Sequence, residues 1–300
     1  MLDWPNPNDS REWQAVYGID NQSFNNLVDI CGESYVELKG MTYEQMLQEN
    51  PKGKFARLKS INDLIQYTLF ILKSGITFDI SAYLIQFDRS RAHRQFNNGI
   101  NLIHYALDAE DYLPTRFFDS VNEFQSYFKD YDTIIIDATE QRIQRPQDLE
   151  YQKEAYSGKK KSHTIKSMII STLDRKIHYV SRAYIGSTHD YSLLKSEFEP
   201  AENWFDKKMV RLDLGYQGFE KDYPNSIPFI PQKKPRKNEL TEEQKLSNKE
   251  LAKQRITVEH TIGGIKRYDI LSNVSRIHDI ELYDKMTGTC AGIWNFFITH

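Results

Sequence analysis

The sequence predicts an α/β protein, a mixed sheet flanked by helices and preceded by a small all-α region. Three observations carry this. Between about residues 55 and 110, apolar side chains recur at helical spacing. From Tyr131 onward the pattern changes, beginning with the continuous apolar run Thr133-Ile-Ile-Ile136 and two alternating segments on either side of Asp174-Arg175. A long helical segment after Thr241 and an amphipathic one over Ile280 to Phe297 then follow. The expected division is an acidic lead-in over 1–50, a helix-turn-helix-like region over 51–115, a linker over 116–130 and a sheet-bearing domain over 131–300.

Composition bounds the class. Of the 300 residues, 39% are apolar and 27% charged, enough for a sizeable core. The net charge of −3 is unevenly spread, because residues 1–50 hold nine acidic and two basic side chains, a net of −7, which leaves +4 for the rest. Cys31 and Cys290 are too few for a zinc site or a disulfide framework. No secretory signal is visible, and no apolar run reaches the ~18 residues of a membrane span. The expected compartment is reducing and intracellular, cytoplasmic and nucleoid-associated.

Element by element, the lead-in reads as irregular or helical. A helix is expected from about Phe55 to Ser74, with Leu58, Ile61, Ile65, Leu69 and Leu72 on one stripe and Gly75 as its stop. A short helix over Asp79 to Ile85 and a turn at Phe87 to Ser90, capped by Asp88 or Ser90, lead into a third helix. That helix buries Phe96, Ile100, Ile103 and Leu107. Its other face begins with Arg89, Arg91, Arg94, Gln95 and Asn98, residue types that reach phosphates and base edges. The outline suits a DNA-binding helix-turn-helix, although a plain helical bundle has the same pattern.

In the second half, a strand runs from Thr133 into Asp137. His163 to Leu173 and Lys176 to Ile185 make a hairpin, and Ser187 or Thr188 caps a helix over Asp190 to Phe198. Met209 to Leu212 is a strand ending at Asp213, and Ile227 to Ile230 a further short one. Thr241 with Gln244 forms a capping box opening a helix that continues to about Tyr268.

Three carboxylates hold special places in this order: Asp137 and Asp213 at strand ends, and Glu259 inside the long helix. At about 100° per residue, Val258, Ile262 and Ile265 lie within about 40° of Leu251, a buried stripe. Arg255, Glu259 and Lys266 lie at about +40 to +80° on that scale, along its border. Magnesium and manganese take hard oxygen ligands. Two such ions ~4 Å apart can clamp both oxygens of an in-line phosphoryl displacement. Three carboxylates from separate elements, with basic neighbours, suit that chemistry.

The flanks of these carboxylates resemble the motifs of DDE transposases, in particular the insertion-sequence and Harbinger-like branch. Ile135-Ile-Asp137-Ala-Thr139 resembles the first motif. Arg211-Leu-Asp213-Leu-Gly215-Tyr216-Gln-Gly218 resembles the second, and Arg255-Ile-Thr-Val-Glu259 with Ile262-Gly-Gly-Ile-Lys266-Arg267 the third. Gly186-Ser-Thr-His189-Asp190 and Lys159-Lys-Lys-Ser-His163 also resemble family segments. The likeness covers about residues 130–300. One departure is Ala252, where many relatives carry a Tyr, which concerns a contact to the transposon end and not the triad.

The resemblance implies a ribonuclease-H-like catalytic domain with Mg2+, or Mn2+ in its place, held by Asp137, Asp213 and Glu259. It also implies nicking at transposon ends, attack of the freed 3′-hydroxyl on target DNA and no covalent protein–DNA intermediate. Double-stranded DNA, as terminal inverted repeats and target, would be the partner, and two ends would require a homodimer. Arg255, Lys266 and Arg267 would grip end phosphates, and Lys159, Lys160 and Lys161 flanking or target DNA.

Each residue has a plainer reading. An Asp at a strand end is usually a turn former, and Arg255 with Glu259 is a helix-surface ion pair worth ~0.3–0.5 kcal/mol. Asp190 charges a helix N-terminus or acts near the site, and His163 and His189 are structural hydrogen-bonders. Gly263 and Gly264 permit close approach or mark a kink. Lys233, Lys234, Arg236 and Lys237 form a solvated turn or a DNA contact. No Gly-x-Ser-x-Gly elbow, His-Glu-x-x-His motif or complete phosphate loop competes. The alternatives are a captured transposase that only binds DNA and a ribonuclease-H-like nuclease acting on other nucleic acid.

Overall fold

The structure, a computed structural model, describes residues 7–50, 56–231, 241, 243, 246, 249 and 259–300. The chain divides into two compact units, Met1–Leu113 with Ile265–His300, and Pro114–Gly264.

In the first unit the lead-in is helical: α1 (Ser10–Tyr17), α2 (Asn21–Lys39) and α3 (Tyr43–Glu49). Some of its acidity is capping chemistry. Asp9 and Asp20 accept the N–H groups of Glu12 and Ser23 at the starts of α1 and α2. Three more helices follow, α4 (Ile61–Ser74), α5 (Phe78–Ile85) and α6 (Arg89–Ala109). The helix expected from Phe55 begins at Ile61, because Ser60 and Asp63 close a capping box there; Phe55 itself lies outside the described residues. Gly75 ends α4 in the left-handed conformation, φ 60. Asp88, the expected cap, accepts the Arg91 N–H at 2.8 Å.

Phe96, Ile100, Ile103 and Leu107 of α6 are fully buried. Each such side chain contributes roughly 1.5–3 kcal/mol. The last helix, here called α12 (Ile280–Thr299), packs on α6 and belongs to this unit rather than to the sheet, unlike the expected division at 131–300. Its apolar face is wide, with Met286, Cys290, Ile293 and Phe296 buried.

The second unit opens with α7 (Val121–Tyr127) and β1 (Thr133–Arg142). Then come α8 (Leu149–Ala155), β2 (Tyr156–Ser157), β3 (Ser162–Ser171), β4 (Ile177–Val180), β5 (Tyr184–Ile185), α9 (Asp190–Glu197), β6 (Met209–Arg211), α10 (Phe219–Asp222) and β7 (Ile227–Phe229). Strand order is β2-β3-β1-β6-β7, with β4 and β5 also on β3. β1 pairs antiparallel with β3 and parallel with β6, and β6 pairs parallel with β7. This is the expected mixed sheet, of the ribonuclease-H-like α/β class.

One core cluster joins Ile134, Ile136, Met168, Ile170, Val210 and Leu212 of the sheet to Phe124, Phe128, Leu193, Leu194, Phe198 and Tyr216. Several local expectations change. β1 does not end at Asp137 but runs to Arg142, because β3 supplies antiparallel partners as far as Thr164. The second hairpin arm breaks into β4 and β5 where Ser181 turns its hydroxyl to the Met168 N–H, 2.8 Å away. β3 is buried from Thr164 to Ser171 rather than alternating. The cap of α9 is His189 rather than Ser187 or Thr188.

The Thr241–Gln244 capping box, Ala252, Arg255 and the basic residues 233–237 involve positions outside the described residues. Of the long helix, the stretch 259–266 (α11) is described, and Tyr268 lies beyond its helical end. No helix among the described residues is long and apolar enough to cross a membrane. Cys31 and Cys290 are buried free thiols, and burial pushes both up.

Candidate active site

Asp137 and Asp213 are brought together by sheet register. β1 and β6 pair as Thr133 with Met209, Ile134 with Val210 and Ile135 with Arg211. Asp137 and Asp213 each follow two residues after the last of these pairs, and both lie close enough to the Tyr216 hydroxyl to act on it electrostatically. Both are half-buried. The Ala138 N–H donates to Asp137 Oδ1 at 2.8 Å, and the Gly215 N–H donates to Asp213 Oδ1 at 2.6 Å. Asp213 caps the 3-10 turn Leu214–Tyr216. A side chain at Gly215 would intrude on this arrangement, because its Cβ would stand 2.8 Å from Asp213 Oδ1.

A third carboxylate, expected either to charge a helix N-terminus or to act near the site, lies beside this pair. The same Cβ position at Gly215 is 3.8 Å from Asp190 Oδ2. Asp190 is held by Lys166, whose Nζ donates to Asp190 Oδ1 at 2.9 Å and to the Thr188 carbonyl at 2.7 Å. The Tyr216 hydroxyl is buried, and burial, together with Asp137, Asp190 and Asp213, raises its pKa well above the usual tyrosine value. The sequence signal for this cluster was a single lysine inside the apolar strand segment Thr164 to Ser171, a position that burial permits only with a partner.

Glu259 is exposed on α11. Among the described residues no three His, Cys, Asp or Glu side chains are grouped closely enough to hold a metal ion. What the site offers is two carboxylates in register, each with one oxygen fixed by a backbone N–H. That donor set fits a hard divalent cation such as Mg2+ or Mn2+.

The basic residues are scattered. Lys159, Lys160 and Lys161 are exposed on the turn between β2 and β3, where Lys159 Nζ is 3.9 Å from Asp190 Oδ2. Lys266 is half-buried at the end of α11. Arg267 lies within the helical unit, where it donates to the Gly18 carbonyl at 2.9 Å and stacks over Trp294 and Phe297. Arg89 and Arg94 are exposed on the first turns of α6, and Arg91 lies over the Phe87 ring. Arg91, Gln95 and Asn98 also line a cavity of about 780 Å³ with Tyr35, Tyr43 and Tyr105.

A protein-family model described as DDE superfamily endonuclease matches residues 136–295, more than half of the chain and inclusive of Asp137, Asp213 and Glu259. The chain is also similar to the "Probable transposase for insertion sequence element IS702" of Microchaete diplosiphon. The two are 32% identical over 169 residues, 54% of this chain and 56% of that protein. The match thus spans about half the length of this curated relative. No solved structure matches the chain.

Proposed function

Because the chain belongs to the DDE superfamily endonucleases, we propose that it is a metal-dependent transposase. In this reading it nicks transposon ends and joins the freed 3′-hydroxyl to target DNA. The observation that supports this is the parallel pairing of β1 with β6, which ends two residues before Asp137 and Asp213, together with the closeness of both to Tyr216. The name of the IS702 relative supports the same direction.

Asp137 and Asp213 would hold Mg2+ or Mn2+ between adjacent strands, with Glu259 completing the set from α11. The backbone donors of Ala138 and Gly215 fix one oxygen of each aspartate, so the carboxylates stay aimed without reorganisation as charge develops. When bound, the cation supplies Lewis-acid stabilisation of the phosphoryl oxygens and lowers the pKa of water.

Duplex DNA, as terminal inverted repeats and target, would be the partner. Phosphates would be gripped by Lys159, Lys160, Lys161, Arg255, Lys266 and Arg267, and by Arg89, Arg91 and Arg94 of a helix-turn-helix formed by α5 and α6. A synapse of two ends calls for a homodimer, and the setting is cytoplasmic, at the nucleoid.

The test is an excision assay on DNA carrying the inverted repeats that flank the gene, with Mg2+ or Mn2+ present. Wild type is compared with Asp137→Ala and Glu259→Ala. Metal-dependent excision lost in both variants is expected. Tight end binding without cleavage in either metal would instead identify a captured DNA-binding protein.

A further inference from the structure

Lys166 is the least expected charge in the sheet. It lies in β3 on the same side as Met168 and Ile170, both members of the aromatic core cluster, and it is 5% exposed. An ammonium taken out of water is tolerated when an anion and further acceptors meet it. The partners are Asp190 Oδ1 and the Thr188 carbonyl. The buried ion pair therefore ties the start of α9 to the middle of β3.

Asp190 has a second oxygen, and it lies near Gly215, as Asp213 does. Oδ2 and Asp213 Oδ1 both lie close to Gly215, 3.8 and 2.8 Å from the place a Cβ would take. Near all three aspartates, the Tyr216 hydroxyl, fully buried, has no hydrogen-bond partner among the described residues. A polar atom left unpartnered beside three carboxylates marks a site whose polar groups are incomplete without a bound species. The other cation near Asp190 is Lys159, 3.9 Å from Oδ2 but 71% exposed, so solvent weakens its hold.

We propose that Asp190 and Lys166 are positioning residues that set the cation affinity of the Asp137–Asp213 site. Asp190 adds negative charge beside Asp213, and Lys166 offsets part of it by engaging one carboxylate oxygen. This rests on the reading of Asp137 and Asp213 as metal-holding residues. The two members of the pair act in opposite directions. Neutralising Asp190 leaves a buried cation next to the site and weakens cation binding. Removing the Lys166 ammonium leaves Asp190 uncompensated and strengthens it. Neutralising both returns the local charge to its starting value.

The experiment is calorimetric titration of the full chain with Mn2+ alone, without DNA. Asp190→Asn is expected to weaken Mn2+ binding about tenfold and Lys166→Met to tighten it several-fold, given a unit charge some ångströms from a divalent ion in a partly screened site. The double variant is expected to lie near wild type. A purely structural ion pair gives a different pattern, with both single variants weakened alike. That pattern, or unchanged affinity in Asp190→Asn, overturns the proposal while leaving the metal reading intact. Should Lys166→Met fail to fold, the double variant still decides, because binding no tighter than in Asp190→Asn alone overturns the proposal. Absence of Mn2+ binding in folded wild type overturns both readings, and loss of binding in Asp137→Asn with Asp190→Asn unaffected overturns only this one.

Discussion

Asp137 on β1 and Asp213, the cap of the turn that follows β6, each lie two residues beyond the last paired residues of the two parallel strands, Ile135 and Arg211. Parallel neighbours lie about 4.8 Å apart, so backbone pairing of β1 with β6 brings the two carboxylates into one neighbourhood. Replacing either with Asn keeps shape and removes the charge. Each variant is expected to lower DNA cleavage by at least about 10²–10³-fold, comparable to the loss of one preorganised electrostatic group. Far-ultraviolet circular dichroism should stay at its wild-type form. A cleavage rate within a few-fold of wild type in Asp213→Asn would remove that residue from the chemistry.

Gly215 separates geometry from backbone strain. Its φ lies outside the left-handed region, and its Cβ would meet Asp213 Oδ1 at 2.8 Å, so Gly215→Ala displaces an Asp213 carboxylate oxygen. Gly218 has φ +98 and only an ordinary contact, 3.9 Å from Tyr191. Gly218→Ala is therefore expected to cost roughly 1–2 kcal/mol of stability by strain. Gly215→Ala should lower cleavage more than tenfold with a smaller effect on melting. Urea unfolding and single-turnover cleavage on both variants measure the two effects, and equal activity losses would contradict the assignment.

Gly99 of α6 lies against Thr68 of α4. A Cβ there would overlap the Thr68 hydroxyl, which already donates to the Leu64 carbonyl at 2.7 Å. Gly99→Ala is expected to destabilise by roughly 1–3 kcal/mol through overpacking. Combining it with Thr68→Ala removes the offending oxygen and should recover part of the loss. Urea midpoints of the two singles and the double, read as a cycle, check this; simple additivity would place the strain elsewhere.

His178 gives the fold a pH dependence. It is buried, with Nε2 2.8 Å from Thr172 Oγ1 and Nδ1 3.3 Å from the Tyr127 hydroxyl. Burial, reinforced by Lys176, lowers its pKa to about 4 against the partial opposition of Asp174. With the folded value depressed, the unfolded chain takes up the proton first. Stability from this group is full above about pH 6.5 and falls on the order of 1 kcal/mol per pH unit as the pH drops toward 4. Urea unfolding at pH 7.5 and 5.5 should show the loss, and His178→Gln should reduce it. A pH dependence unchanged in that variant would exclude His178 as its source.

Much of the candidate site was legible because its parts are short and local. The apolar run ending at Asp137, and the Leu-Gly-Tyr after Asp213, state a strand and a turn directly. The turn glycine is explained by the two carboxylates that flank it. The split of the second hairpin arm was not legible, since it depends on where the Ser181 hydroxyl finds a backbone donor across the strand. Nor was the placing of α12 on α6, because an apolar helix face specifies burial without specifying the partner.

The sequence by itself determined the main elements and their order, among them α4 to α6 and the strands β1, β3 and β6. Helical and two-residue periodicities, capping residues such as Asp88, and turn residues act within a few positions of themselves. Only the tertiary structure decided that Asp190 stands beside Asp213 and that Lys166, distant in sequence, holds it there. Register and helix docking are set by summed packing over the whole unit, so long-range charge neighbours are fixed only once the sheet and its aromatic core have formed.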